Sequence, residues 1–363
     1  MDDVLKNALN SFDPAERKNA LLALRKKMSS FNMHCHSFFS YNGYGYSPSM
    51  LVALAKELNW RSLMLVDFDV LDGVDEFLAA AKLLGVRAAA GMETRVFIPE
   101  FADKEINSPG EPGIAYHLGC GFTSSTVPAS QEKFAASLRQ RAMNRTRTLV
   151  EKVNSLLSEI AIDFDSVAKE FTPAGNVTER HVCCAYRVAA EKRFSGEDLS
   201  AYWQEKIGGF EADPVKMEAL IRSKTMKKGG VGYAKADPES FPTLDEMNKF
   251  IKACGAVPTI AWLNGMSAGE NDVEALLDLH QKYGAGAVTL IPDRNWRAAT
   301  VEKSRELVAE LDRFVAAVAK RNMPLLAGTE MNAPGQLLAD DYTIDELVKH
   351  QDIFIAGADA FAK

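Results

Sequence analysis

Short apolar runs and amphipathic helical spacings alternate along two separate stretches of the chain. Residues 62–66 have a strand-like run, 75–84 a helical spacing, 86–90 a strand-like run again, and 114–120 a further one. The alternation returns late. Residues 257–261, 287–291, 325–328 and 352–356 are strand candidates, accompanied by helical patterns at 271–283, 300–321 and 343–350. Strands alternating with helices predict α/β architecture with parallel strands. Between the two stretches the character changes. Residues 127–250 carry long helical patterns, such as 130–158 and 179–193, polar Gly-rich linkers such as 226–233, and little that reads as strand. The pattern predicts one barrel in two parts, 30–126 and 251–363, with 127–250 as a helical insertion. Residues 1–29 read as an N-terminal helical extension. There Asp13 is an N-cap, Pro14 takes the first helical position, Glu16 completes a capping box, and Leu21, Leu22 and Leu24 form a packing face.

Composition narrows the functional classes. The chain has 363 residues, 47% apolar and 25% charged, enough to bury a large core. A net charge of −7 gives no strong nucleic-acid signal, although a bound metal can reverse the sign of a site locally. No apolar run is long enough to span a bilayer, and the acidic Met1-Asp2-Asp3 start is not followed by a secretory core. Five cysteines without a Cys-x-x-Cys pair point to reduced thiols and a cytoplasmic protein. The basic run 139–147 reads as the solvated face of a helix.

The chemistry starts at Met33-His34-Cys35-His36. Residues i and i+2 of a strand point the same way, so two imidazoles can converge on one ion. Further carboxylates and histidines recur where successive strands are read to end: Asp67-Phe68-Asp69, Gly91-Met92-Glu93, then His117. In parallel α/β barrels those ends share one face, where active sites form. Asp69 reads as a turn-capping residue, and His280 and His350 as structural positions on amphipathic helices.

The order and spacing of these elements resemble the PHP (polymerase and histidinol phosphatase) superfamily over about residues 30–335. That family opens with His-x-His and continues through an Asp-His pair, a Gly-x-Glu and a His-Leu-Gly-type strand. The matching residues are His34/His36, Asp67-Phe68, Gly91-Met92-Glu93 and His117-Leu118-Gly119. Beyond the insertion stand Thr178-Glu179-Arg180-His181, Ala261-Trp262-Leu263 and Gly328-Thr329-Glu330-Met331-Asn332, where the family has an Arg-His element, Ala-His-Pro and Gly-Ser-Asp-x-His. The resemblance implies a distorted (β/α)7 PHP-type barrel and a phosphoesterase that activates water on divalent metal. His34, His36, Asp67, Glu93, His117 and Glu330 are the implied ligands, with Asp67 and Glu93 implied in catalysis and Arg180 and His181 in substrate binding.

The departures from that pattern lower the ligand count. Phe68 and Trp262 stand where histidines are usual, Asn332 replaces the final histidine, and Asn42 stands where Asp is common. The remaining imidazole and carboxylate set suits Zn, Mn or Fe and leaves enough for one or two ions. The implied activity is hydrolysis of a small phosphate ester or nucleotide. Hydrolysis of another bond, such as an amide, stays open. So does a barrel that has lost catalysis and binds a ligand or partner, with Phe68 and Trp262 offering aromatic surface where metal would sit.

Overall fold

The computed structural model describes residues 3–20, 30–233 and 238–363. Seven strands form one sheet in sequential order: β1 Asn32–Cys35, β2 Leu63–Phe68, β3 Ala88–Phe97, β4 Ile114–Cys120, β5 Val257–Trp262, β6 Ala287–Leu290 and β7 Leu325–Ala327. The sheet curls into a nearly closed barrel. Across the seam between β1 and β7 the Asn32 amide donates to Thr329 O at 3.0 Å and Thr329 Oγ1 at 2.7 Å, and the His36 N–H donates to Glu330 O at 3.0 Å.

The alternation predicted parallel strands throughout, and the sheet departs from this at one strand. β4 runs antiparallel to both β3 and β5. A parallel crossover needs a connection that returns the chain to the other end of the sheet, usually a helix. Between β3 and β4 there is only a short 3₁₀ turn, Pro99–Phe101, and the chain turns back at Gly113, whose φ of 77° a glycine adopts without strain. The reversal decides which residues of β4 reach the barrel interior.

Two helices flank the first strands: α1 Pro48–Glu57 and α2 Val74–Leu84. Between β4 and β5 lie α3 Glu132–Leu156, α4 Phe164–Phe171, α5 Glu179–Arg193, α6 Gly196–Ile207, α7 Pro214–Thr225 and α8 Leu244–Ala253. The described residues of 127–250 contain no strand beyond an isolated bridge from Thr243 to Phe97. Helices α3 to α7 bury a core of their own around Val153, Tyr186, Trp203 and Ile221, separate from the barrel core around Met33, Leu65, Phe77 and Phe314. After β5 come α9 Val273–Lys282, α10 Val301–Lys320 and α11 Gln351–Phe361.

Helix α11 corrects the strand expected at 352–356. Its buried residues Gln351, Phe354, Gly357 and Ala358 recur at helical spacing, so the apolar run was one face of a helix. A Cβ on Gly357 would lie 2.1 Å from Leu325 O, so the glycine lets the helix lie directly on β7. Asp359 then holds Arg61 at 2.5 Å and Arg87 at 2.6 Å, pinning α11 beneath β2 and β3.

At the N-terminus Asp13 Oδ1 accepts from the Ala15 N–H at 2.8 Å, as a cap does. Glu16 accepts from the Ser11 hydroxyl instead of reaching back to Asp13, so the capping box does not form as expected. Leu21, Leu22 and Leu24 lie outside the described residues. All five cysteines are free. Among the described residues no helix is long and apolar enough to cross a membrane.

Candidate metal centre

Strand parity builds the site. On β1, Asn32, His34 and His36 share one side. In the parallel register of β2 and β3, Phe68 stands level with Glu93, and Asp67 with Met92. Glu93 meets both imidazoles: its Oε2 lies 3.4 Å from His34 Nε2 and 3.2 Å from His36 Nε2. All three residues are buried, and none of these three atoms has a hydrogen-bond partner. They form a group compact enough for one ion.

The far sides of the rings are held. His34 Nδ1 lies 3.3 Å from Thr289 Oγ1, and His36 Nδ1 3.3 Å from Ser40 Oγ. The Ser40 hydroxyl donates its proton to Asp67 Oδ1 at 2.7 Å, so it accepts from the His36 ring. His36 is thereby fixed with its proton on Nδ1, and the Nε2 lone pair faces the Glu93 carboxylate. A lone pair against a carboxylate oxygen in a dry site calls for a cation between them, either a proton or a metal ion. Burial would raise the Glu93 carboxyl, but the two imidazoles outweigh it and hold it at about 2. Burial likewise works to lower His36, and Glu93, Asp67 and Glu330 outweigh it, raising the ring above its ordinary value. The two orphaned nitrogens and one oxygen fit a divalent ion such as Zn, Mn or Fe, with Thr289 and Ser40 fixing the rings as partners of metal-bound histidines do.

The structure does not bring Asp67 into this group. Adjacent strand residues point to opposite faces, and Phe68 occupies the inward one, its ring stacked on His36 at 4.4 Å and 13°. Asp67 instead accepts from the Ser37 N–H at 2.7 Å, the Ser37 hydroxyl at 2.6 Å and the Ser40 hydroxyl. These bonds brace the loop that follows His36. Asn42 braces it as well, donating to His36 O at 2.7 Å and accepting from the Tyr44 N–H at 2.8 Å.

His117 is the clearest correction. Because β4 is antiparallel, His117 stands opposite Thr94, one residue out of phase with Glu93. Its ring therefore points outward into the helical layer. There its Nε2 donates to Asn248 Oδ1 at 2.7 Å, and its ring stacks on His280 of α9 with centroids 5.6 Å apart. Trp262 is corrected by the same parity. It stands outside the barrel, stacked on Phe314 at 4.0 Å, and so contributes no aromatic surface to the centre, where Phe68 alone of the two expected rings is found.

Burial holds the His117 ring down at about 4 and holds His280 well below its ordinary value, with both His280 nitrogens unpartnered among the described residues. The unfolded chain would protonate such rings near 6.5. Between there and pH 4 the unfolded state binds more protons, so stability falls as pH falls through that window. Each ring contributes a slope of up to about 1.4 kcal/mol per pH unit. His280→Leu is expected to remove one such contribution. Urea unfolding at pH 7, 6 and 5 measures the slope, and an unchanged slope would mean that His280 is not buried neutral.

Glu330 lies at the rim. Arg294 Nη2 holds its Oε1 at 2.7 Å, and Gln336 approaches its other oxygen at 3.5 Å. It acts on His34, His36 and Glu93 electrostatically without joining them. Asn332, next to Met331 with its left-handed φ of 55°, is half-buried nearby in the chain.

The first turn of α5 packs over the loop after β1. Asn176 donates to Phe39 O at 3.1 Å and Phe68 O at 2.9 Å, and the His181 ring meets Tyr41 edge-on at 5.1 Å. His181 Nδ1 accepts from the Thr178 N–H at 3.1 Å, closing a capping box that leaves the proton on Nε2. Burial keeps this ring neutral, at about 4. Arg180 is half-buried and has no ion pair among the described residues. Burial first, then neighbouring Arg222, lower its pKa. The 139–147 run is not simply a solvated face. Arg145 inserts inward, donates to Ser240 O at 2.7 Å and lies over the Phe241 ring at 4.5 Å.

No family model matches the sequence, and no curated protein does. Solved structures are similar in fold. A sulfate-bound, metal-free amidohydrolase from Chromobacterium violaceum superposes with a TM-score of 0.58 at 17% identity, covering 84% of this chain and 88% of that one. A protein from Bifidobacterium adolescentis described as a candidate metal-dependent phosphoesterase gives a TM-score of 0.54 at 18% identity, covering 88% of this chain and 95% of that one.

Proposed function

We propose that the protein is a metal-dependent hydrolase of the PHP type, cleaving a small phosphate ester at the His34, His36 and Glu93 centre. The observation that carries this is the convergence of three buried, unpartnered ligand atoms, two of them on rings fixed from behind. The two similar structures, an amidohydrolase and a candidate metal-dependent phosphoesterase, suit the same class. One ion is the better-supported number, since the described residues contain a single such group.

A divalent ion there would supply an acidified water and a positive charge beside the scissile group. The residues of the chain do the rest. Glu93 and the two imidazoles fix the reaction centre on strand ends. The Phe68 ring covers one face of His36 and keeps bulk water from it. Arg180, without an ion pair among the described residues, and the Nε2–H of His181, whose ring packs on Tyr41 of the loop after β1, are the donors we assign to phosphoryl oxygens. Glu330, tied to Arg294, stands at the rim as a negative group that a second cation would have to detach.

A second reading has its own observation. Phe68 occupies the inward position beside Glu93 where another ligand would stand, which favours a barrel that binds without turning over. A panel of phosphate monoesters and nucleotides, assayed with Mn²⁺ or Zn²⁺, separates the two. Slow hydrolysis that disappears in Glu93→Gln is expected. Hydrolysis absent across the panel, or unchanged in Glu93→Gln, would favour the binding reading.

A further inference from the structure

The inner face of the β3–β4 hairpin continues beyond Glu93. Arg95 and Tyr116 stand directly opposite each other in the register and share the face of Glu93. Arg95 is committed: its Nη1 holds Glu111 at 2.6 Å and its guanidinium lies over Phe241 at 4.8 Å. Tyr116 is not. Its backbone N–H donates to Asn107 Oδ1 at 2.8 Å, and its ring lies 6.2 Å from Phe68, which stacks in turn on His36. An aromatic path thus leads from the candidate centre to the Tyr116 hydroxyl.

That hydroxyl has no hydrogen-bond partner among the described residues, although the side chain is half-buried. Partly buried tyrosines ordinarily satisfy the O–H. Burial raises its pKa, Arg95 lowers it, and Glu93, Glu179 and Glu330 raise it, so the group stays a proton donor. Arg294 also acts on it electrostatically. A protonated donor without an acceptor among the described residues, opposite Arg95, within the electrostatic reach of Arg294 and on the face of the barrel that carries Glu93, is suited to an anionic oxygen.

We propose that Tyr116 is a substrate-contact residue whose hydroxyl donates a hydrogen bond to a phosphoryl oxygen of the ester held at the His34/His36/Glu93 centre. This rests on the phosphoester reading above. The parity that turns His117 outward is what turns Tyr116 inward, so the two assignments share one structural cause.

The test is calorimetric titration of inorganic phosphate into the metal-loaded full chain, wild type against Tyr116→Phe, with metal content and melting temperature measured on both. The variant loses only an atom without a hydrogen-bond partner among the described residues, so it is expected to keep its metal and its melting temperature. Phosphate binding is expected to weaken about tenfold or more, the effect of losing one hydrogen bond to a charged acceptor. Equal phosphate affinity in the two proteins would overturn the Tyr116 assignment and leave the metal and phosphoester readings standing. A wild type that holds metal but does not bind phosphate would overturn the phosphoester reading and Tyr116 with it.

Discussion

Replacing His34 and His36 together with alanine is expected to strip the protein of divalent metal, from about one ion per chain to none. The two rings supply two of three converging ligand atoms, and Glu93 alone would be left as a single buried carboxylate. Outer partners of metal ligands are worth about 10–100-fold in affinity, and the ligands themselves more. Elemental analysis after purification from metal-supplemented medium gives the direct readout. Melting with and without chelator gives a second. Metal at about 1,000 times its dissociation constant stabilises the fold by about 4 kcal/mol, so chelation should lower the wild-type midpoint and leave the double variant unmoved. The variant gives up the ring contacts to Thr289 and Ser40 at Nδ1 but no hydrogen bond at Nε2 among the described residues, so circular dichroism of the double variant accompanies the metal measurement to show that it folds. Stoichiometric metal retained in the double variant would place the ion elsewhere and remove the basis for the proposed hydrolase.

The alternation of apolar runs located β2, β4, β5, β6 and β7 to within a few residues, because buried strands of a barrel are short, continuous and bounded by turns. It could not show direction. Nothing in the apolar pattern of 114–120 distinguishes a parallel strand from an antiparallel one, and with direction unknown the phase of His117 relative to Glu93 was unknown too. The same limit hid Tyr116, which sits beside a more conspicuous histidine and faces the other way. His34 and His36 were legible because both lie on one strand and their relative phase is fixed by spacing alone. Asp67 was misjudged for want of register: only the pairing of Phe68 with Glu93 shows which of two adjacent residues looks inward. At 352–356 the run Ile353-Phe354-Ile355 satisfied strand preference, while its longer frame, Gln351 to Ala358, had helical period. Arg145 looked solvated among other arginines, and only tertiary packing on Phe241 buries it.

Asp67→Ala is expected to destabilise the metal-free protein by about 3–5 kcal/mol, in the range of breaking a buried charged network. The carboxylate accepts from the Ser37 N–H, the Ser37 hydroxyl and the Ser40 hydroxyl, all at 2.6–2.7 Å, and removing it leaves those donors buried without an acceptor. Asp67→Asn keeps the shape but replaces one acceptor oxygen with a donor, so it should lose part of that stability. It should also loosen the Ser40 hydroxyl that orients His36, weakening metal binding about 10–100-fold as an outer partner does. Urea unfolding of chelator-treated protein isolates the first effect, and metal titration of the folded variant isolates the second. The two measurements separate a brace from a ligand. A direct ligand would leave the metal-free fold unchanged on substitution, since a carboxylate released from an ion has nothing to hold in its absence. Full stability of metal-free Asp67→Asn together with complete loss of metal would therefore return Asp67 to the ligand set and show that the loop after His36 rearranges when the ion binds.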